Sequence, residues 1–261
     1  MNPTKHTLKR TLFAAIAGLV VGTPALADDK YPQAVQHLVE RGVTITGQFD
    51  APSDMTGYVG EMQGQPVAFY LTSDRQHVVI GPMLTADGEN LTDPKVQELV
   101  LGPKNEQAWA DLEKASWVRD GDADAPVVVY TFTDPNCPYC HRFRKSAEPW
   151  IAAGRVQLRH VLVGILKQDS LPKAATILGA DDPQQALGYN QSHYGEGGVE
   201  VNREIVSKHA AKVQENNRLM SRLGLSATPS TYYRTADGGI RMKQGAPRPE
   251  EMEAIMGSPQ P

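Results

Sequence analysis

Cysteine is nearly absent from this chain. Its 261 residues contain two, Cys137 and Cys140, both inside "TDPNCPYCHRF". Secreted folds held by disulfides carry several bridges closing long loops, and a loop this small removes little entropy from the unfolded chain. A structural staple is therefore a poor reading. Zinc is poorly served as well. Two thiolates are too few ligands, there is no second CxxC and no HxxxH, and His141 and His160 are lone histidines rather than a ligand set. No dense Lys/Arg tract is present, which argues against nucleic acid, whose phosphates demand clustered cations. Beyond the N-terminus no apolar run is long enough to cross a bilayer. Internal repeats and low-complexity tracts are lacking too.

The N-terminal apolar run, "LFAAIAGLVVG", follows Lys5, Lys9 and Arg10 and precedes "ALA" before Asp28. A cationic start, a short apolar stretch and a small-x-small site predict a secretory signal peptide over residues 1–27, cleaved after Ala27. The mature chain is then expected in the periplasm of a Gram-negative source. The leader holds three Lys/Arg and no Asp/Glu, so its removal takes the formal charge from −4 to −7. What remains exceeds the needs of one small core and implies two domains.

Residues 28–90 read as a small α+β unit. "YPQAVQHLVERG" places Val35, Leu38 and Val39 on one helical face, with Pro32 suited to the first turn and Gly42 to the stop. The runs "VTITGQF", "TGYVGEM", "VAFYLT" and "HVVIGPML", split by "DAPSD", "QGQ" and "SDRQ", predict an antiparallel meander. A single helix on such a sheet leaves a face or an edge exposed, which favours pairing with a second copy. Residues 91–124 have a charged helical texture, divided at Gly102-Pro103, and "RDGDADAP" (119–126) marks a domain boundary. From 125 the pattern turns α/β. "VVVYTF" is an apolar β-branched run typical of a doubly buried strand. A turn then delivers the CxxC to a helix carrying Phe143, Ala147, Trp150 and Ile151, which Pro149 is expected to kink. "VQLRHVLVG" completes a βαβ unit. Residues 168–224 are mostly helical, and "TPSTYYR", "IRMKQG" and "RPEEMEAIMG" predict two strands and a closing helix.

A cysteine at a helix start meets unpaired N–H groups and the positive end of the macrodipole, which stabilise a thiolate. Cys137, nearest the tip, is the expected nucleophile. Cys140, one turn further in, is placed to attack a mixed disulfide and resolve it. Pro138 and Tyr139 between them tune the pair. The charges of His141, Arg142 and Arg144 either favour the thiolate or form a solvated basic face.

With "SATPSTYYR" downstream, "TDPNCPYC" resembles the disulfide-isomerase branch of the thioredoxin superfamily. The small first domain, helical linker and helical insertion resemble the periplasmic DsbC/DsbG family over essentially the whole mature chain. This resemblance implies an α+β architecture: an N-terminal cystatin-like dimerisation domain, a helical linker, and a C-terminal thioredoxin-like domain with an insertion at about 168–224. It implies that Pro229 is a cis-proline keeping the substrate backbone in register beside Cys137, and that Thr228 lies against both sulfurs. The redox group is the Cys137–Cys140 disulfide itself, with no other cofactor. Expected partners are a second copy, misfolded or oxidised client proteins, and the membrane reductase DsbD. One departure stands out: relatives in the superfamily carry a buried carboxylate six residues before the nucleophile, and here that position is Thr131. The expected activity is thiol:disulfide isomerisation or reduction, including sulfenylated cysteines, with chaperone activity. A holdase with a secondary redox role and a DsbA-like oxidase are the alternatives.

Overall fold

The computed structural model describes residues 30–261. The predicted signal segment and its cleavage site lie outside them. Among the described residues no helix is long and apolar enough to cross a membrane.

The first unit is built by alternation. Helix α1 (Gln33–Glu40) is followed by four antiparallel strands in sequence order: β1 (Val43–Ala51), β2 (Met55–Met62), β3 (Gln65–Leu71) and β4 (Val78–Ile80). One face turns Tyr58, Phe69 and Leu71 onto Val35 and Leu38 of α1. The neighbouring residues Val59 and Ala68 point the other way, as the period of two requires. There they meet Val96, Leu99 and Val100. Of the face or edge expected to be exposed, the face is thus covered by the following helical segment. The outer strands β1 and β4 each pair on one side only, and at β4 Val79 and Ile80 are 56% and 62% exposed. Only three residues of "HVVIGPML" form that strand.

That helical segment corrects a further expectation. Helix α2 (Thr92–Val96), a π-helical turn (Gln97–Leu101) and helix α3 (Gly102–Lys114) follow one another without the break predicted at Gly102-Pro103. The reason lies in the helix geometry: Pro103 stands where the π turn passes into α3, and the wider turn before it accommodates a residue without an N–H. α3 also belongs to the second core. Leu112, Ala108 and Trp109 pack with Tyr130, Phe132, Leu219 and Met220.

The second sheet has the order β5-β7-β6-β8-β9. Its members are β5 (Trp117–Asp120), β6 (Val127–Thr133), β7 (Val156–Leu162), β8 (Ser230–Arg234) and β9 (Ile240–Gln244). Only β6 and β7 are parallel, as the βαβ crossover through helix α4 (Pro138–Ala152) demands. α4 and helix α8 (Pro249–Met256) cover one face through Phe143, Trp150 and Ile255. α3 and helix α7 (Arg203–Arg222) cover the other. Pro149 stands in the last turn of α4. Strand β5 was not expected: Trp117 and Val118 read as the end of a helix, and Arg119 and Asp120 as a boundary. The four residues pair with the β7 edge, Trp117 opposite Val161 and Asp120 opposite Leu158. Helices α5 (Ser170–Leu178) and α6 (Pro183–Ser192), with α7, form the insertion. Ala174, Ile177, Leu187 and Val213 pack on Leu162 and Val118.

Because Leu112 is fully buried in the core of the second unit, Leu112→Ala is expected to cost about 2–5 kcal/mol in urea unfolding of that unit. A loss under about 1 kcal/mol, the size typical of surface changes, would show that α3 merely spans the domains.

Candidate active site

Strand β6 ends at Thr133, and Asp134 through Asn136 turn the chain into α4. Cys137 is the N-cap of that helix: its Sγ accepts the backbone N–H of Cys140 at 3.2 Å. Pro138 follows in the first turn, where a lost N–H is harmless. Both thiols are unbridged and buried. Facing them is Thr228, whose peptide bond to Pro229 is cis. The Thr228 carbonyl lies 3.3 Å from the Cys137 sulfur. The buried Thr228 Oγ1 makes no hydrogen bond of good geometry among the described residues, but it lies close enough to the Cys137 sulfur to act on it. Cys137, Cys140, Thr228 and Pro229 therefore meet at one point. Tyr139 lies half exposed at the rim, with the Arg142 guanidinium 4.4 Å from its ring centroid.

The two sulfurs are driven apart in acidity. A hydrogen bond from the Cys140 thiol is the largest influence on Cys137. Burial opposes it, and Thr228 and the N–H groups of Cys140 and Tyr139 assist, so the Cys137 pKa falls from 9.0 to about 6. Burial, then the adjoining Cys137 sulfur, holds the Cys140 thiol well above its ordinary value. At neutral pH the arrangement presents one thiolate and one buried thiol, as a nucleophile and a resolving group require.

The basic residues after the motif act elsewhere. Arg144 binds Asp120 of β5 at 2.8 and 3.2 Å and also pairs with Glu148. His141 Nδ1 sits 2.9 Å from Gln191 Oε1, and its ring stacks on Tyr194. Hydrogen bonds, and not these charges, stabilise the thiolate. Asp120 is buried, and burial opposes its ionisation. The groups of His160 and Arg144 outweigh that and hold its carboxyl below the usual range. His160 joins the chain at Thr133, Nδ1 to Oγ1 at 2.9 Å, so β5, β7, β6 and α4 are tied together beneath the motif. Thr131, at the position lacking a carboxylate, receives a hydrogen bond from Thr231 at 3.2 Å.

Asp134, given no role from the sequence, is fully engaged. One oxygen accepts the Asn136 N–H and the Ser170 hydroxyl at 2.9 and 2.8 Å. The other accepts the N–H groups of Ile165 and Leu166 at 2.8 and 3.0 Å. That second loop reaches it because Gly164 has no Cβ, which would fall 2.3 Å from the Leu171 backbone. A buried turn full of N–H donors needs such an acceptor. The "TDP" triplet signals it only as a turn.

A parallel βα unit, a dithiol capping the helix and a facing cis-proline define a thioredoxin-fold thiol:disulfide oxidoreductase. Residues 121–258 match the family described as a thioredoxin-like domain. The chain is 39% identical to the thiol:disulfide interchange protein DsbG of Pseudomonas aeruginosa over 96% of its own length and 98% of the relative's. Against DsbG of Escherichia coli the identity is 35%, covering 96% and 99%. The thiol:disulfide interchange protein DsbC of Salmonella typhimurium is 24% identical over 95% of each chain. The chain belongs to the DsbG family of thiol:disulfide interchange proteins.

An acid whose folded pKa is depressed stabilises the fold above its unfolded pKa and loses that contribution as pH falls through the folded value. For Cys137 the window runs from 9.0 down to about 6. Alkylation of Cys137 by iodoacetamide should titrate with a midpoint of about 6, and Cys137→Ser should be less stable than the reduced wild type by more at pH 9 than at pH 5. A midpoint near that of an ordinary thiol, about 8.5, would contradict the geometry.

Proposed function

We propose that this chain is a periplasmic isomerase and reductase of client proteins, with Cys137 as the attacking sulfur. The carrying observation is the split in acidity across one helical turn: a capped thiolate at Cys137 and a buried thiol at Cys140. The Cys137 thiolate attacks a client disulfide, forming a Cys137–client bond while the other client sulfur leaves as a thiolate. If a client thiol then attacks, the disulfide is reshuffled and Cys137 is regenerated. If Cys140 gives up its proton and attacks Cys137 instead, the Cys137–Cys140 disulfide forms and the client leaves reduced by two electrons. A sulfenylated client cysteine follows the same course, its oxygen leaving as water after protonation. The oxidised pair then needs an external dithiol reductant. DsbD is the assignment carried by the family resemblance. Thr228 and Pro229 hold the client backbone beside the sulfur, and Pro138 and Tyr139 shape the entry.

Two features support client binding beyond the chemistry. Tyr139, Ile165 and Leu166 expose apolar surface on the motif and on the loop that Asp134 anchors beside it, which suits an unfolded segment and a chaperone role. The free edge of β4 with exposed Val79 and Ile80 suits pairing with a second copy. A cleaved leader over residues 1–27 supports an oxidising compartment for this chemistry.

Cys140→Ala, expressed in the periplasm, should accumulate mixed disulfides through Cys137, visible as dithiothreitol-sensitive adducts. Their absence, together with a wild-type pair found mostly oxidised in cells, would turn the assignment toward an oxidase. Light scattering should report a dimer for the wild type and a monomer for Val79→Lys/Ile80→Lys. A dimer that survives those charges would place the interface elsewhere.

A further inference from the structure

The three residues before Cys137 are each gripped by the helical insertion. Asp134 is held as described above. The Pro135 carbonyl accepts Asn190 Nδ2 of α6 at 3.2 Å. Asn136, directly before the nucleophile, is held on every polar atom of its side chain and on its carbonyl. Its Nδ2 donates to Asp169 Oδ1 at 3.0 Å and to Ser170 Oγ at 2.9 Å. Its Oδ1 accepts from Lys173 Nζ at 3.0 Å, and its carbonyl accepts the Tyr194 hydroxyl at 3.1 Å.

Lys173 is the unusual member. It is only 8% exposed, yet it carries an ammonium group. Its donors go to Asn136 Oδ1, to the Gly197 carbonyl at 2.8 Å and to Asp169 Oδ2 at 2.8 Å. Burying a lysine is costly and stabilises little unless every donor is used. Here every donor is used, and the three acceptors come from three places: the turn before Cys137, the end of the short helical turn after α6, and the N-cap of α5. An apolar side chain would fill the same space without that linkage. The one thing Lys173 adds is a fixed separation between the insertion and Asn136.

We propose that Lys173, acting through Asn136, is a positioning residue for Cys137. The insertion thereby forms the foundation of the nucleophile as well as a lateral extension of the fold. The Sγ accepts from Cys140 N–H only while the N-cap residue keeps its extended backbone. The preceding peptide decides that backbone, and Asn136 is where it is pinned. Charge alone does not explain the arrangement, because Asp169 neutralises Lys173 at 2.8 Å. This inference rests on Cys137 being the attacking sulfur.

The test uses the full mature chain and iodoacetamide alkylation of Cys137 across pH, followed by mass spectrometry. Asn136→Ala and Lys173→Gln should each raise the midpoint by about one pH unit, making alkylation well below the midpoint about tenfold slower. The double variant should shift it no further than the larger single shift, because both act through one contact. Tyr194→Phe removes only the hydroxyl from the Asn136 carbonyl and should shift it in the same direction, by less. It serves if Lys173→Gln fails to fold. Lys208→Gln, in an exposed pair with Glu204 on α7, should leave the midpoint unchanged. Folded variants with lowered urea stability but an unmoved midpoint would overturn the proposal and leave Lys173 a purely structural residue. Additive shifts in the double variant would also overturn it. A wild type whose Cys137 shows no lowered midpoint would instead overturn the assignment of the nucleophile, so the two failures are distinguishable.

Discussion

The hydrogen bond from the Cys140 backbone N–H to the Cys137 sulfur is the contact on which the rest of this site depends. A helix begins with unsatisfied N–H groups, and some acceptor must meet them. Here the acceptor is a thiol sulfur, and it caps better as a thiolate, because a charged acceptor strengthens the bond. The helix start and the reactive state of the nucleophile are therefore one requirement. The same turn carries Cys140 inward, where burial keeps its proton on.

Holding that turn in place requires anchorage from both sides. From below, Asp120 of β5 grips Arg144 of α4, and His160 and Thr133 continue the tie across the sheet. From the side, the insertion grips Asp134, Pro135 and Asn136. Buried polar networks of this kind are unfavourable when incomplete and rigid when satisfied. Rigidity suits a sulfur engaged in thiol-disulfide exchange, because attack on a disulfide sulfur requires one orientation. It also explains why charges that look available along the helix are not. Arg144 fastens strand to helix, and His141 braces the motif against Gln191 and Tyr194.

Much of the architecture was legible along the chain because it is local. The meander between Val43 and Ile80 shows short β-like runs with turn residues between them, and α4 shows its buried face at Phe143, Ala147, Trp150 and Ile151. Strand β5 was not legible. Four residues that follow a helix and precede an acidic turn carry no periodicity of their own, and only the free edge of β7 makes them a strand. The continuity of α2 into α3 was equally hidden. Gly-Pro ordinarily stops a helix, and the adjoining π turn has no sequence signature.

The sequence by itself determined where the two sulfurs stand on the helix. A buried strand, a turn and a helix opening on CPYC place Cys137 at the tip and Cys140 behind it, since helix polarity is a property of consecutive residues. The local turn supplies the hydrogen bonds from Cys140 and Tyr139 to the Cys137 sulfur. Tertiary structure decided the rest: the burial of both sulfurs, the approach of Thr228 and the anchoring of the turn. Thr228 lies 91 residues from Cys137, and Lys173 lies 37 residues from the Asn136 it holds. A thiol's acidity is the sum of burial and the hydrogen bonds that reach it. Burial and the Thr228 contact depend on where the fold brings distant segments together, and neighbours in sequence do not record them.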